Sequence, residues 1–291
     1  MKKRVLILGS SGMLGHVVNL RLRSLDDLFH VTDVSRNNDG FKSDIMMDVT
    51  DFDSLKKLVE TQKPDIIINC VGVLNNNAEI NPSNAILINS YLPLFLAKVT
   101  ETTKSRVIQI STDCVFSGLN GNYNENALMD AKGYYGRSKA LGEIINDKDL
   151  TIRTSIVGPE LNTKGIGLFQ WFASSQGDIQ GYSNVFWTGV TTIELSSAIV
   201  AFINEGTTGL YHFVNGVKIS KFDLLRHFRS VFTKSGVDDI IPNNRDHIDK
   251  SLVNTRTDFS YMAPSYQKMI LDMKKWIIEN SNIYPHYQSI V

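Results

Sequence analysis

The chain has little of what marks out the special protein classes. Only two of its 291 residues are cysteine, Cys70 and Cys114. That is too few for the disulfide framework of a small secreted domain, and their position beside expected strand ends suits reduced thiols, which points to a cytoplasmic setting. Charge of one sign is missing as well: thirty basic side chains cancel thirty acidic ones. No global field therefore recruits nucleic acid or an anionic membrane, and any anionic ligand has to be held locally. No apolar run approaches membrane-spanning length. Met1-Lys2-Lys3-Arg4 before Val5-Leu6-Ile7-Leu8 imitates a secretion signal, but the run stops at Gly9, too early for one, and reads as a first β-strand. The six histidines, at 16, 30, 212, 227, 247 and 286, show no metal-ligand spacing, so no metal is expected. Internal repeats and low-complexity linkers are absent.

What is present is ordinary globular material, 42% hydrophobic and 21% charged, enough for one large core or a core and a half. In the first half, short β-branched runs alternate with amphipathic segments, the pattern of a parallel sheet wrapped by helices. The expected strands are Arg4–Leu8, Phe29–Val34, Pro64–Cys70, Arg106–Ser111 and Leu150–Ile156. Between them Leu14, Val17, Val18 and Leu22 recur at helical spacing, as do Leu55, Leu58 and Val59, then Ile88, Leu92, Phe95, Leu96 and Val99. Ile66-Ile67-Ile68 is continuously apolar, as a strand covered on both faces should be. After about Val157 the rhythm changes to glycines, aromatics and polar loops. A capping-box start at Thr191-Thr192-Ile193-Glu194 follows, then a strand Leu210–Val214 and helices over Ser220–Lys234 and Tyr266–Asn280. The expected architecture is thus α/β, a Rossmann-like doubly wound parallel sheet over residues 1–157 with a smaller substrate-binding lobe over 158–291. Crossings between the two are allowed.

Gly9-Ser10-Ser11-Gly12-Met13-Leu14-Gly15 lies between the first strand and the first helix, where a dinucleotide fingerprint belongs. Gly9 permits the turn, Gly12 lets backbone approach a pyrophosphate, and Gly15 allows close helix–strand packing, with donors from Ser11, Met13 and Leu14 at the helix N-terminus. The spacing is G-x-x-G-x-x-G rather than the commoner G-x-G-x-x-G, and a purely structural turn is the competing reading. After the second strand, Asp33 could bond a ribose 2′-hydroxyl, whereas Ser35-Arg36 at the strand's mouth suits the 2′-phosphate of NADP. NADPH is the favoured cofactor, with NADH as the alternative. Asp48 and Val49 begin a further loop at the sheet edge where adenine would sit.

Tyr135-Gly136-Arg137-Ser138-Lys139 places a phenol and an ammonium one helical turn apart on one face. Such a cation can lower the phenol's pKa, which gives an acid/base for hydride chemistry at a carbonyl. Alone, the pair would read as surface residues at helical spacing.

Together with Asn69-Cys70-Val71-Gly72, Asn89 and Ser111-Thr112-Asp113, these motifs resemble the extended short-chain dehydrogenase/reductase superfamily over almost the whole chain. Within it, Ser111-Thr112-Asp113-Cys114-Val115-Phe116-Ser117-Gly118, Tyr123-Asn124-Glu125, Tyr135 to Glu143 and Ile152-Arg153-Thr154-Ser155 are similar to the dTDP-4-dehydrorhamnose reductase family. The resemblance implies hydride transfer from NADPH to C4 of a nucleotide-linked 4-keto-6-deoxyhexose, in synthesis of a surface polysaccharide precursor. It implies that Thr112 hydrogen-bonds the ketone oxygen, Tyr135 donates the proton, and Lys139 binds the nicotinamide ribose and tunes Tyr135. Cys70, Val71, Gly72 and Asn89 would border the cofactor, with Asn89 organising the Lys139 end. Asp113, Cys114 and Val115 would wall the sugar pocket. Trp187 could cover sugar or base, and Arg256 or Arg245 could pair with the diphosphate.

Two positions depart from the family pattern. Cys114 stands where Tyr is usual, which alters the pocket wall. Magnesium-dependent members carry a carboxylate where this chain has Val17, which argues against that metal site and the dimer built around it; a homodimer of other construction stays open. The alternatives are a nucleotide-sugar 4-epimerase on the same fold, or a nucleotide-binding regulatory subunit. A dehydratase is disfavoured because Asp113 is not followed by a second carboxylate.

Overall fold

The computed structural model describes residues 1–36 and 41–291. In chain order the elements are β1 (Lys3–Leu8), α1 (Gly15–Arg23), β2 (Phe29–Ser35), β3 (Ile45–Met46), α2 (Phe52–Gln62), β4 (Ile66–Asn69), α3 (Asn75–Ile80), α4 (Pro82–Ile86), a π-helical turn (Leu87–Tyr91), α5 (Leu92–Val99), β5 (Arg106–Thr112), α6 (Tyr134–Leu141), β6 (Leu150–Thr154) and β7 (Ile156–Val157). The second half holds α7 (Leu168–Ser174), β8 (Gly177–Tyr182), β9 (Val185–Trp187), β10 (Val190–Thr191), α8 (Thr192–Glu205), β11 (Gly209–His212), β12 (Ile219–Ser220), α9 (Lys221–Val231), β13 (Val237–Asn243), β14 (Ile248–Asp249) and α10 (Tyr266–Glu279).

Seven strands form a parallel sheet in the order β3-β2-β1-β4-β5-β6-β11, the doubly wound order expected of a dinucleotide-binding fold with one strand added. Ile66, Ile67 and Ile68 of central β4 are fully or almost fully buried, because helices cover both faces of the sheet. One face packs against α1, α8 and α10 in the large core, and the other against α2 and α5. Asp51 caps α2 by accepting from the Ser54 amide at 3.1 Å, and Leu55 and Val59 one turn apart turn inward.

The strand expected over Pro64–Cys70 is shorter, Ile66–Asn69. The strand expected over Leu150–Ile156 breaks at Ser155. Beyond the break, Ile156 and Val157 leave the main sheet and pair with β10 instead. The division at residue 157 is also crossed: β11 pairs with β6 inside the nucleotide-binding sheet, and the Lys3 ammonium donates to the Ile203 carbonyl of α8 at 2.9 Å. The chain leaves the sheet after β6, builds part of the second lobe, returns for β11, and leaves again.

The π-helical turn has an identifiable origin. Pro93 lies just inside α5, and a proline ring clashes with the carbonyl four residues earlier, here that of Asn89. Widening the turn relieves the clash and rotates Asn89, which is fully buried, toward the sheet end where β4 and β5 terminate.

Candidate active site

The glycine loop wraps the end of β1. Gly9 has a φ of +82°, a left-handed conformation for which glycine is favoured. A side-chain carbon at Gly15 would lie 2.0 Å from the Gly9 carbonyl oxygen, so only glycine lets α1 start this close to the turn. By contrast, a carbon at Gly12 would meet only that oxygen, at 3.3 Å; the open face of Gly12 is turned outward, toward the space a ligand would use. Leu14 is buried in the core, so it can offer a ligand only backbone. The Met13 sulfur lies beside Gly167, under the loop that follows β7.

A cleft of about 690 Å³ runs from this loop along the sheet end, lined by Gly9, Ser11, Gly12, Ser35, Arg36, Asp48, Val49, Cys70, Val71 and Gly72 among others. It is open where Gly12 exposes backbone, and it has a cation at the position suited to a 2′-phosphate, so its residues fit a dinucleotide. Asp33 is not available to a ribose. It is buried and salt-bridged to Arg23 at 2.7 Å, and Arg23 also holds Asp44. Arg36 has no salt bridge among the described residues, and its field helps hold the Asp48 carboxyl below the usual range, behind the larger effect of bonds from Thr50. Asn37, Asn38, Asp39 and Gly40 lie outside the described residues.

At the other side of the sheet end, α6 presses against the turn Asp113–Val115. A side-chain carbon at Gly136 would sit 2.0 Å from the Cys114 carbonyl oxygen, so the glycine inside the Tyr-x-x-x-Lys motif is what lets the helix come this close. Tyr135 is thereby brought beside Thr112. Thr112 Oγ1 accepts from the Cys114 amide at 3.1 Å and donates to Asp113 Oδ1 at 3.1 Å. The Lys139 ammonium donates to the Ile110 carbonyl at 3.0 Å and points at Gly72 beside Asn89. Asn89 clamps this corner: its Oδ1 accepts from the Val73 amide at 2.9 Å, and its Nδ2 donates to the Val73 carbonyl at 2.9 Å and to Ser138 Oγ at 3.0 Å. The loop after β4 is thus tied to the helix that carries Lys139.

The electrostatics differ from the expectation in one respect. Burial pushes the Tyr135 phenol well above its usual pKa, neighbouring Cys114 adds to the rise, and Thr112 pulls against it. The expected depression by Lys139 is not found, since that ammonium is directed at Ile110 and its own pKa is lowered to about 8 by burial. Cys70 and Glu143 oppose the fall. Glu143 is itself held bidentately by the buried Arg153, at 2.7 and 2.6 Å, and receives the Ser111 hydroxyl at 2.6 Å.

Three residues expected at the sugar pocket are placed elsewhere. Val115 is fully buried with Phe116, Tyr123 and Leu252. Trp187 is 2% exposed and packs on Tyr266, a core aromatic rather than a stacking platform. Arg256 pairs with Asp258 and donates to the Thr208 and Leu210 carbonyls at 2.6 and 2.9 Å, at the start of β11 and so at the end of the sheet opposite Thr112. Arg245 sits on an exposed loop. Cys114, by contrast, lines a second cleft of about 480 Å³ with Tyr135, Glu79, Lys132 and Lys250. Lys250 was not singled out in the sequence; it lies in a loop with no periodicity or motif, and only the fold brings it there.

Comparison with known proteins agrees with this geometry. The chain is 28% identical over 257 residues to a dTDP-4-keto-6-deoxy-D-glucose reductase of Streptomyces niveus, covering 84% of each. It is 25% identical to a dTDP-4-dehydrorhamnose reductase of Aggregatibacter actinomycetemcomitans, covering 94% of this chain and 91% of that one. The crystal structure of a dTDP-4-dehydrorhamnose reductase from Bacillus anthracis in complex with NADP superposes with a TM-score of 0.80, covering 95% of this chain and 99% of that one at 21% identity; it shares the fold. The sequence profile of the RmlD substrate binding domain matches residues 2–288, and the chain belongs to that family.

Proposed function

We propose that the chain is an NADPH-dependent reductase that converts the ketone of a nucleotide-linked 4-keto-6-deoxyhexose to an alcohol, in the cytoplasm, for a surface polysaccharide precursor. The observation that carries the reading is the convergence of Thr112, Tyr135 and Lys139 beside a glycine-loop cleft whose wall includes Gly72.

NADPH bound along that cleft, over Gly9, Gly12, Arg36 and Asp48, supplies the hydride. The protein's own residues do the rest. As the carbonyl carbon is reduced, negative charge develops on its oxygen and needs a donor within reach. Tyr135 is that donor, and its raised pKa keeps it protonated at neutral pH, the state in which it can give a proton to an alkoxide. Thr112, its hydroxyl turned from Asp113 Oδ1, offers a second donor to the same oxygen. Lys139, charged below about pH 8, binds the nicotinamide ribose; Asn89 positions it by fixing the loop and helix on either side. The part of residues 158–291 outside the sheet closes over the sugar nucleotide, with Cys114 widening the wall beside Tyr135.

The test is NADPH absorbance with a panel of 4-keto sugar nucleotides. Oxidation matched by sugar reduction, and reduced roughly 10²–10⁴-fold in kcat by Tyr135→Phe, is the expected result. Interconversion of C4 epimers without net NADPH loss would instead identify an epimerase, and tight binding without turnover a regulatory subunit.

A further inference from the structure

Two lysines from the second lobe face the turn that carries Thr112, and neither has an anionic partner. β9 is flanked by β12 and β14. Each flanking strand is followed at once by a lysine: Lys221 after Ser220, Lys250 after Asp249. The Lys250 ammonium lies 3.5 Å from Cys114 Sγ and lines the cleft shared with Tyr135. Lys221 lies over the Trp187 ring, 5.0 Å from its centre, and its charged neighbours are Asp113 and Lys250. Both are half-buried. Among the described residues no carboxylate comes within salt-bridge distance of either, whereas Arg23, Arg153, Lys218 and Arg256 are all paired.

This arrangement is unfavourable as it stands. Two like charges sit close enough to repel each other, and the one carboxylate near Lys221, Asp113, is already bonded by Thr112. Lys221 is moreover the first residue of α9, where the helix dipole disfavours a cation. Burying part of an unpaired ammonium also costs free energy. An anion placed between the two amines would remove all three penalties, and Cys114, smaller than the Tyr usual there, leaves room for it.

We propose that Lys221 and Lys250 form the anion-binding wall of the substrate cleft and hold the diphosphate of the sugar nucleotide, fixing the sugar against Thr112 and Tyr135. The assignment deepens the reductase reading and rests on it for the identity of the diphosphate. In this role the lysines are substrate-binding residues that set affinity rather than the chemical step.

The test is titration of the NADPH-saturated protein with thymidine diphosphate and uridine diphosphate, with the corresponding nucleosides as controls. Saturating NADPH keeps the probes out of the glycine loop. A wild-type diphosphate affinity that falls with salt is expected, with a loss of about 10-fold or more in Lys250→Met and in Lys221→Met, from removal of one charge-assisted contact each. Lys250→Arg should retain most of the affinity, and melting temperatures establish that the variants are folded. Salt-independent wild-type binding, no binding of either diphosphate, or Met variants that bind as tightly as wild type would each overturn the proposal. Because the assay needs no turnover, it separates the two claims: diphosphate binding that depends on both lysines, with every 4-keto sugar left unreduced, would sink the reductase reading and leave the anion wall standing.

Discussion

His16 and Tyr284 are 268 positions apart in the sequence, and His16 Nε2 lies 2.6 Å from the Tyr284 hydroxyl. The other ring nitrogen, Nδ1, lies 2.8 Å from the Gly12 carbonyl oxygen. A carbonyl can only accept, so Nδ1 carries the hydrogen and Nε2 accepts from Tyr284, whose oxygen in turn accepts from Trp276 Nε1 at 3.1 Å. A directed chain of donors thus runs from α10 to the glycine loop, and it requires a neutral imidazole. Burial holds the His16 pKa down to about 4.

Acid should therefore destabilise the protein in a defined window. A histidine whose folded pKa lies below its unfolded value contributes stability that is intact above about pH 6.5 and is lost as pH falls toward 4. His212, also lowered to about 4 by burial, acts in the same direction. Each should cost about 2 kcal/mol at pH 5 relative to pH 7.5, read as a drop in melting temperature. A melting temperature that stays level between pH 7.5 and 5 would contradict the neutral, buried state of both rings.

Arg36 should set cofactor choice, since Asp33 is committed to Arg23. Arg36→Ala should raise the KM for NADPH roughly 10–100-fold with little change for NADH, as expected when one charge-assisted bond to phosphate is lost. Equal effects on both cofactors would place the 2′-phosphate elsewhere.

The rate should fall on the alkaline side. Lys139 has a pKa near 8, and its charge disappears as pH rises through that value, so kcat measured with NADPH should decline above it. Glu143 opposes the lowering, so Glu143→Gln should move the decline to lower pH. Lys139→Met should lower kcat and weaken NADPH binding together, whereas Thr112→Val should lower kcat alone. Single-turnover hydride transfer at saturating NADPH separates these cases.

Arg153 should matter for stability. It is almost fully buried and saturates the equally buried Glu143 carboxylate. Arg153→Met should cost about 3–5 kcal/mol, because it strands an unpaired buried carboxylate; denaturant unfolding measures it. The double variant Arg153→Met/Glu143→Gln should recover part of the loss.

Much of this was legible in the sequence because it depends on local pattern. The order of β1, β2, β4, β5 and β6, the glycine loop, and the placing of Tyr135 and Lys139 one turn apart on a single helix all follow from periodicity and short-range spacing. What could not be read depends on contacts between distant segments. Nothing near Val115 distinguishes a core valine from a pocket valine; that depends on Leu252, more than a hundred residues away. Trp187 and Arg256 looked like ligand-binding groups by residue type, and tertiary packing assigns them to Tyr266 and Asp258. Lys250 carries no signal at all. The π-helical turn could have been suspected from Pro93 following an otherwise helical stretch, but its effect on Asn89 could not.

The return of β11 to the sheet has a consequence for how the molecule is made. A ribosome releases the chain from its N-terminus, so the glycine loop emerges long before β11 and Tyr284. The sheet below that loop lacks an edge strand until Gly209–His212 has appeared, and the buttress behind Gly12 is missing until Tyr284 follows. A nascent chain stalled between β6 and β11 would expose the unpaired edge of β6, open to misassembly, and nucleotide capture should begin only once Tyr284 has been added.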